Sequence, residues 1–163
     1  KRVRKQPWYD GDTANFSIGQ GDLLVTPLQV VRLVSVFANR GFLVSPHFVK
    51  AVDGRDISGM FKKTVRVPVK QSTIDYIRES SKSVVSVDDG TGNVLKGMPV
   101  SVGGKTGTAQ VTRGLSHGWF AGFFPFQNPR YALCVFLENG GGGHAAALMT
   151  REIIQEMIRQ NAL

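Results

Sequence analysis

The sequence predicts an α+β fold, in which a sheet formed late in the chain is covered by helices. Three strand-like segments follow one another in its last third. A helical period then returns over 145–160 and gives that helix an apolar face that can pack on the sheet. The 163 residues are enough for one domain and too few for two ordinary ones. The predicted apolar face comprises Ala146, Met149, Ile153, Ile154, Met157 and Ile158.

The first half of the chain predicts loops and two helices. Residues 1–25 are rich in Gly, Asp and Asn and are predicted to be loop. Thr26 is a candidate N-cap and Pro27 suits the first helical position, so a helix is expected from there to Gly41. Apolar residues occur on nearly every face of this helix, and we expect it to be buried. A second helix is predicted over 72–87.

Extended segments lie between and after these helices. A strand is predicted over 42–52 and an extended stretch over 65–69. The strands of the main sheet are predicted at 100–111, 119–124 and 131–137. Both alternating sets of residues are apolar in the last of them, YALCVFL, which predicts a strand buried on both faces.

Composition and charge narrow the classes of partner. Twenty Lys and Arg against twelve Asp and Glu give a net charge of +8, which suits acidic surroundings such as nucleic acid, anionic lipid or an acidic polymer. Several cations lie in KRVRK at 1–5, which is interpreted as a solvated tail, and without a nucleic-acid motif we expect no nucleic-acid partner. The single cysteine, Cys134, excludes an internal disulfide. No apolar run approaches the length of a membrane span.

The stretch GGKTGTAQ at 103–110 places one lysine, Lys105, among glycines and threonines. It could be a phosphate-binding loop, a carboxylate-binding strand or an ordinary glycine-rich turn. A P-loop needs glycine where this chain has Pro99, and a helix after the lysine, whereas the residues that follow favour a strand. Similarly, GQG at 19–21 lacks the third glycine of a dinucleotide-binding fingerprint. A nucleotide site is therefore not expected.

The three histidines do not predict a metal site. His47, His117 and His144 are far apart in sequence and form no HxH or HxxxH pair. His47 and His144 are interpreted as polar or capping residues. His117 follows the lysine strand closely and could support a site there without taking part in catalysis. No metal or cofactor is expected.

On an extended strand, Lys105 and Gly107 point to one side while Thr106 and Thr108 point to the other. Such an edge strand can offer an ammonium group, hydroxyls and backbone N–H groups to a carboxylate and a neighbouring carbonyl. Gly104 and Gly107 are expected to let the backbone of a ligand approach. This is what a strand needs to dock a peptide and polarise its carbonyl.

Lys-Thr-Gly is one of three signatures shared by penicillin-binding proteins and serine β-lactamases. Four further motifs accompany it, GDTANFSIGQG at 11–21, TPLQ at 26–29, HGWFAGFFP at 117–125 and ENGGGGHAA at 138–146. In this order the set closely resembles the C-terminal half of the transpeptidase domain of class B penicillin-binding proteins. It is most similar to the elongation-specific type, the penicillin-binding protein 2 type, and the resemblance covers essentially the whole chain.

The resemblance implies a serine β-lactamase/penicillin-binding transpeptidase fold, with a five-stranded antiparallel sheet and helices on both faces. Three of the five strands are assigned to this chain. Residues 1–163 are thus expected to be the C-terminal portion of such a domain, without the N-terminal portion that carries the nucleophile. The two other strands would lie beside 131–137, which is expected to become an unprotected edge when the chain is alone.

The resemblance also implies a function. The family cross-links peptidoglycan as a serine D,D-transpeptidase, by acyl transfer from a stem peptide ending in D-Ala-D-Ala, and binds β-lactams. Lys105 would supply positive charge near the cleft, while Thr106 and Thr108 would hydrogen-bond the substrate carboxylate. The backbone N–H of Thr108 would be one of two oxyanion donors, and Gly107 would keep the strand open.

Location and partners follow from the same resemblance. It places the protein in the cell envelope, at the outer face of the cytoplasmic membrane or in the periplasm, with cell-wall synthesis proteins as partners. A membrane anchor would belong to the absent N-terminal part.

Two signatures of the family do not occur in this chain. No serine begins Ser-x-x-Lys or Ser-x-Asn, and the nearest approach to the second is Thr13-Ala14-Asn15. The chain is therefore not expected to acylate alone. It could be the C-terminal part of a normal enzyme, a degenerate homologue or module that binds muropeptide or a partner, or one half of a site completed by a second polypeptide.

Overall fold

A computed structural model describes residues 7–61 and 64–163, so the predicted basic tail at 1–5 lies outside the described residues. The described residues form four helices and seven strands, together with short 3-10 turns at Ser58–Phe61 and Asn93–Leu95. In chain order they are α1 (Asp10–Ser17), α2 (Pro27–Ala38), β1 (Phe42–Val44), β2 (Ala51–Val52), β3 (Arg55–Asp56), β4 (Thr64–Arg66), α3 (Gln71–Ser86), β5 (Gly103–Ala109), β6 (His117–Phe124), β7 (Tyr131–Leu137) and α4 (Gly143–Arg159).

The main sheet has the order β5-β6-β7, and both strand pairs are antiparallel. Each strand of this sheet overlaps one of the three predicted segments. Lys105 pairs with Ala121 and Thr108 pairs with Gly118, so the lysine strand forms one edge of the sheet. The predicted α+β class is confirmed.

The core lies between this sheet and α4. Phe120, Phe124 and Val135 pack there against Ala146 and Ile154 of the helix. The prediction that β7 is buried on both faces is wrong, since Val135 is its one buried residue, Phe136 is exposed and the other residues of the strand are only partly buried. On the same face as Phe136, partial burial raises the pKa of the Cys134 thiol to about 11, so the thiol stays protonated at neutral pH.

The predicted apolar face of α4 is confirmed in part, because Ala146 and Ile154 are buried and Met157 and Ile158 pack against the core, while two other members are exposed. Met149 is 45% exposed and Ile153 is also exposed, whereas Ala147 and Thr150 are buried. Small residues near the start of the helix allow it to approach the sheet closely, and this close approach fixes the buried face. The hydroxyl of Thr150 donates to the carbonyl of Ala146 at 2.8 Å, so a buried polar group is satisfied within the helix.

Helix α2 begins as predicted. The Thr26 hydroxyl accepts from the backbone N–H of Gln29 at 3.2 Å, and the Gln29 side chain accepts from the backbone N–H of Thr26 at 2.8 Å. The prediction of a fully buried helix is wrong, because one face packs on β6 and β7 while Leu33 on another face is 56% exposed.

Two predictions for the first third of the chain are wrong. Residues 1–25 contain a helix, α1, whose first turn is closed by a 2.8 Å hydrogen bond from Tyr9 N–H to the Asp12 carboxylate. The strand predicted over 42–52 is split into β1 and β2, because Pro46 has no N–H to donate. No helix in the described residues is long and apolar enough to cross a membrane.

Candidate functional site

Strand β5 presents the predicted site residues on its two faces. Thr106 is only 8% exposed, whereas Lys105 beside it is exposed, as the alternation of a strand requires. The Lys105 ammonium group donates to the carbonyl of Thr106 at 2.8 Å. The lysine side chain is therefore held against the edge of its own strand. The side chain of Gln20 donates to the carbonyl of Thr108, further along the same strand, at 2.9 Å.

These two hydrogen bonds also show how the backbone of β5 is oriented. Neither donor belongs to β6, so the carbonyls of Thr106 and Thr108 point away from that strand. In an extended strand, the N–H and the C=O of one residue point to the same side. The backbone N–H of Thr108 thus faces the outer edge, where a bound chain could reach it.

A cleft of about 400 Å³ opens next to this edge. Three parts of the chain form it, namely the loop before β5, the strand itself and the first turn of α4. Its lining residues are Gly90, Thr91, Asn93, Thr106, Thr108, Gly142, Gly143 and His144.

Each threonine hydroxyl of β5 has a partner in the cleft wall. The Thr91 and Thr106 hydroxyl oxygens are 2.6 Å apart, and the backbone N–H of Gly143 donates to the Thr108 hydroxyl at 3.2 Å. The Thr108 oxygen accepts there, so its own hydrogen is available to a ligand. In the other pair, whichever hydroxyl accepts keeps a hydrogen to donate. The wall can therefore offer two O–H donors to an anion.

The N-terminus of α4 adds to this polarity. The helix has 17 residues, and the backbone N–H groups of its first turn carry a partial positive charge. Gly143 lies so close to β5 that an added Cβ would be 2.8 Å from the Cβ of Thr106. Glycine at this position is what allows the helix terminus to reach the threonines. Hydroxyl donors, a helix N-terminus and a nearby ammonium group together suit a carboxylate.

The loop that carries Thr91 is braced by polar contacts. The Lys96 ammonium group and the Asp88 carboxylate are 2.6 Å apart, and the Asn93 side chain donates to the carbonyl of Asp88, also at 2.6 Å. The hydrogen bond from Lys96 holds the pKa of Asp88 below its ordinary value. The backbone N–H of Gly92 donates to Val84 of α3 at 3.0 Å. These contacts fix Thr91 opposite β5.

The sequence profile of a family described as the penicillin binding protein transpeptidase domain matches residues 3–155. The chain belongs to this family. The resemblance carried by its motifs is thus confirmed, and relatives of the penicillin-binding protein 2 or MrdA type match nearly the whole chain.

Three relatives illustrate the match. Peptidoglycan D,D-transpeptidase MrdA of Haemophilus influenzae is 32% identical over 96% of this chain and 27% of its own length. The penicillin-binding protein 2 of Helicobacter pylori, solved in complex with MreC, superposes with a TM-score of 0.81 at 31% identity, over 97% of this chain and 29% of that one. The penicillin-binding protein A of M. tuberculosis, solved as an imipenem acyl-enzyme complex, gives 0.75 at 28% identity, over 92% and 34%. The chain thus spans about a quarter to a third of the length of these penicillin-binding proteins.

His117 lies behind the cleft rather than in its wall. Its Nδ1 accepts a 2.9 Å hydrogen bond from the backbone N–H of Asn139, and its ring contacts Phe136 edge to face. Asn139 belongs to the turn after β7 that leads to Gly142 and Gly143 of the cleft. The histidine therefore supports the turn that delivers the start of α4.

One predicted role is wrong. A Cβ on Gly104 would lie 2.5 Å from the ring of Phe120, so this glycine makes room for the core and not for a ligand. A Cβ on Gly107 would meet the Cβ of Trp119 at 3.3 Å, a tight contact on the neighbouring strand.

Sequence reasoning missed several residues of the cleft. Thr91 lies in a segment with no signal beyond Gly-Thr-Gly, and His144 was interpreted as structural although it lines the cleft. Gly143 forms part of ENGGGGHAA, where the run of glycines signals a close approach of backbones. In the part of the chain that the structure describes, no three His, Cys, Asp or Glu side chains are grouped as metal ligands.

Proposed function

We propose that the protein containing this chain is a penicillin-binding serine D,D-transpeptidase of peptidoglycan synthesis. Residues 1–163 form the C-terminal portion of its transpeptidase domain and supply the Lys-Thr-Gly wall of the active site. The observation that carries the proposal is the placement of two threonine hydroxyls in the cleft beside β5, where that of Thr106 pairs with Thr91 and that of Thr108 pairs with the N-terminus of α4.

The substrate carboxylate binds in this cleft. Thr106 and Thr108 donate their hydroxyl hydrogens to the terminal carboxylate of a stem peptide ending in D-Ala-D-Ala, and Lys105 adds positive charge at the strand edge. The backbone of the peptide lies along β5 as an added strand. Its scissile carbonyl then meets the outward N–H of Thr108, and Gly107 keeps the edge free of a side chain at that point.

The reaction needs a serine from outside these 163 residues. The serine oxygen attacks the carbonyl carbon of the penultimate D-Ala, and the negative charge on the carbonyl oxygen is stabilised by the N–H of Thr108 and a second donor. One such donor contributes about 3 kcal/mol to lowering the barrier. The C–N bond then breaks, the terminal D-Ala leaves with a proton, and the amine of a second stem peptide displaces the serine. A β-lactam follows the first half of this path and stays attached.

The chain by itself is inactive under this proposal. It contains no Ser-x-x-Lys and no Ser-x-Asn, and it spans 27% of the H. influenzae MrdA sequence. The nucleophile and its base belong to the remainder of the parent polypeptide.

Location and partners are proposed on the same footing. The parent protein acts in the cell envelope, at the outer face of the cytoplasmic membrane, with a membrane anchor outside this chain. It works with other cell-wall synthesis proteins, as the complex of the H. pylori relative with MreC suggests by analogy.

The test uses the parent protein and two synthetic substrates. A stem pentapeptide ending in D-Ala-D-Ala and the tetrapeptide without the last residue are incubated separately with an acceptor amine. We expect D-Ala release and a cross-linked product from the pentapeptide only. Binding of the pentapeptide without release of D-Ala would contradict the proposal and favour a non-catalytic muropeptide-binding module.

A further inference from the structure

The GQG turn that does not fit a dinucleotide fingerprint has a different use in the structure. Gly19 and Gly21 both adopt left-handed conformations, with φ of 73° and 76°, which glycine adopts without strain. The backbone N–H of Gln20 donates to the carbonyl of Asn15 at 2.9 Å, and that of Gly19 donates to Phe16 at 3.0 Å. The turn is therefore fixed to the end of α1 and holds the Gln20 side chain in one place.

That side chain reaches the lysine strand. Gln20 Nε2 donates to the carbonyl of Thr108 at 2.9 Å, across 88 residues of sequence. Thr108 is the penultimate residue of β5, and the last pair of the ladder is Ala109 with His117. Strand ends fray, and on its outer edge this end has no ladder hydrogen bonds in the part of the chain that the structure describes. The contact from Gln20 restrains the backbone there.

We propose that Gln20 is a positioning residue for acylation, which acts by fixing the backbone of Thr108. The inference rests on the proposed function. The N–H and the C=O of Thr108 lie on the same side of the strand and are joined through its Cα, so a donor that fixes the carbonyl restrains the φ and ψ angles that set the direction of the N–H. An oxyanion donor is effective only when it is held close to its productive position before the reaction.

The chemistry of the contact explains why the residue is a glutamine. A carbonyl oxygen needs a hydrogen-bond donor, and the Gln20 carboxamide supplies one without a charge. An ionised glutamate of the same shape would place an acceptor against an acceptor. A protonated glutamate could donate, so its effect would depend on pH, with an ordinary pKa of about 4.3.

The experiment compares variants of the full-length parent protein. Gln20→Leu removes the donor, Gln20→Glu makes it dependent on protonation, and Gln127→Leu is the control at an exposed glutamine in the turn between β6 and β7. Acylation by a labelled penicillin is measured from about pH 4.5 to about pH 8 in each protein, always as a ratio to the unchanged protein. The rate of the covalent step, the dissociation constant of the preceding complex and the melting temperature are recorded.

Gln20→Leu is expected to slow the covalent step by about 10-fold or more, with a dissociation constant within about twofold of the unchanged protein. Gln20→Glu is expected to be as slow near neutral pH and to begin to recover as the pH falls towards about 4.5. Gln127→Leu should match the unchanged protein. Unchanged rates of the covalent step in both Gln20 variants would overturn the proposal. Rate losses that parallel the melting temperature and do not vary with pH would also overturn it, as would failure of both variants to fold. A parent protein that takes no penicillin at all would instead refute the proposed function.

Discussion

The Thr91 and Thr106 hydroxyl groups share one hydrogen bond of 2.6 Å, which leaves one hydroxyl hydrogen for another acceptor. This arrangement makes Thr91 part of the proposed carboxylate site, although it lies in a loop before β5. Without the Thr91 hydroxyl, the Thr106 hydroxyl would donate elsewhere and would lose its fixed direction.

Thr91→Val, a change close in shape, is expected to weaken the non-covalent binding of a penicillin by about 10-fold, or about 1.4 kcal/mol. The methyl ester of the same penicillin has no carboxylate, so its binding should change little. Thr112→Val at an exposed site is the control. Equal losses for the acid and the ester would contradict a role in carboxylate binding.

Lys105→Ala in the parent protein should slow acylation by β-lactams on the order of 10²-fold while the melting temperature stays unchanged. The lysine side chain is exposed and packs against no core residue, so its loss removes charge and a hydrogen bond to the strand edge only. Lys50→Ala at an exposed position is the matched control. Stopped-flow acylation rates check the result, and a rate equal to that of the unchanged protein would exclude the assigned role.

At the scale of elements, Arg78 connects three parts of the fold. It lies on α3, is 3% exposed, and its guanidinium donates to the carbonyls of Phe37 and Ala38 at the end of α2 at 3.3 and 2.9 Å. It also donates to the carbonyls of Phe126 and Gln127 after β6, and stacks on the ring of Phe126 at 4.8 Å. Burial lowers its pKa, which for an arginine still leaves a cation at neutral pH.

Arg78→Met should lower the free energy of unfolding by about 3 kcal/mol, because buried carbonyls lose a charged donor. Arg40→Met removes an exposed arginine, whose 3.4 Å pair with Asp75 is worth less than about 1 kcal/mol. Chemical denaturation of the parent protein measures both. Equal effects of the two changes would show that Arg78 does not hold the elements together.

The sequence predicted best those elements whose burial pattern follows from neighbouring residues in the chain. The strands of the sheet and the start of α2 follow from apolar runs and a capping box. Helix α1 escaped prediction because DGDTANFS has no apolar period and buries no residue. The predicted face of α4 is wrong only at Met149 and Ile153, because the close approach of Gly143 to β5, which the apolar period does not show, orients the start of the helix.

The candidate site likewise contains some residues that the sequence predicts and others that it does not. Lys105 to Thr108 are contiguous, so a motif finds them. Thr91, Gly143 and Gln20 meet β5 from 15, 35 and 88 residues away, and those contacts depend on the fold. A single sequence contains no direct record of such distances.

At the scale of the whole molecule, β7 is an exposed edge. It pairs only with β6 in the part of the chain that the structure describes, and its sequence is apolar throughout. Apolar edge strands pair with other chains unless they are covered. In the parent protein, we expect two further strands of the transpeptidase domain to cover this edge.

The 163-residue chain alone is therefore expected to associate as its concentration rises. Phe136→Lys places a charge on the edge strand and should reduce association, whereas Tyr76→Lys on the exposed side of α3 should not. Light scattering across a concentration series measures the difference. A monomeric chain with a cooperative melt at high concentration would contradict the prediction.

The most direct measurement is the intact mass of the native polypeptide that contains these residues, isolated from its source and recorded with and without a labelled penicillin. The account predicts a species much larger than 17.8 kDa that gains one penicillin. A species of 17.8 kDa without an adduct, or a larger one that takes no penicillin, would contradict the claim that this chain is the lysine-bearing wall of a working transpeptidase.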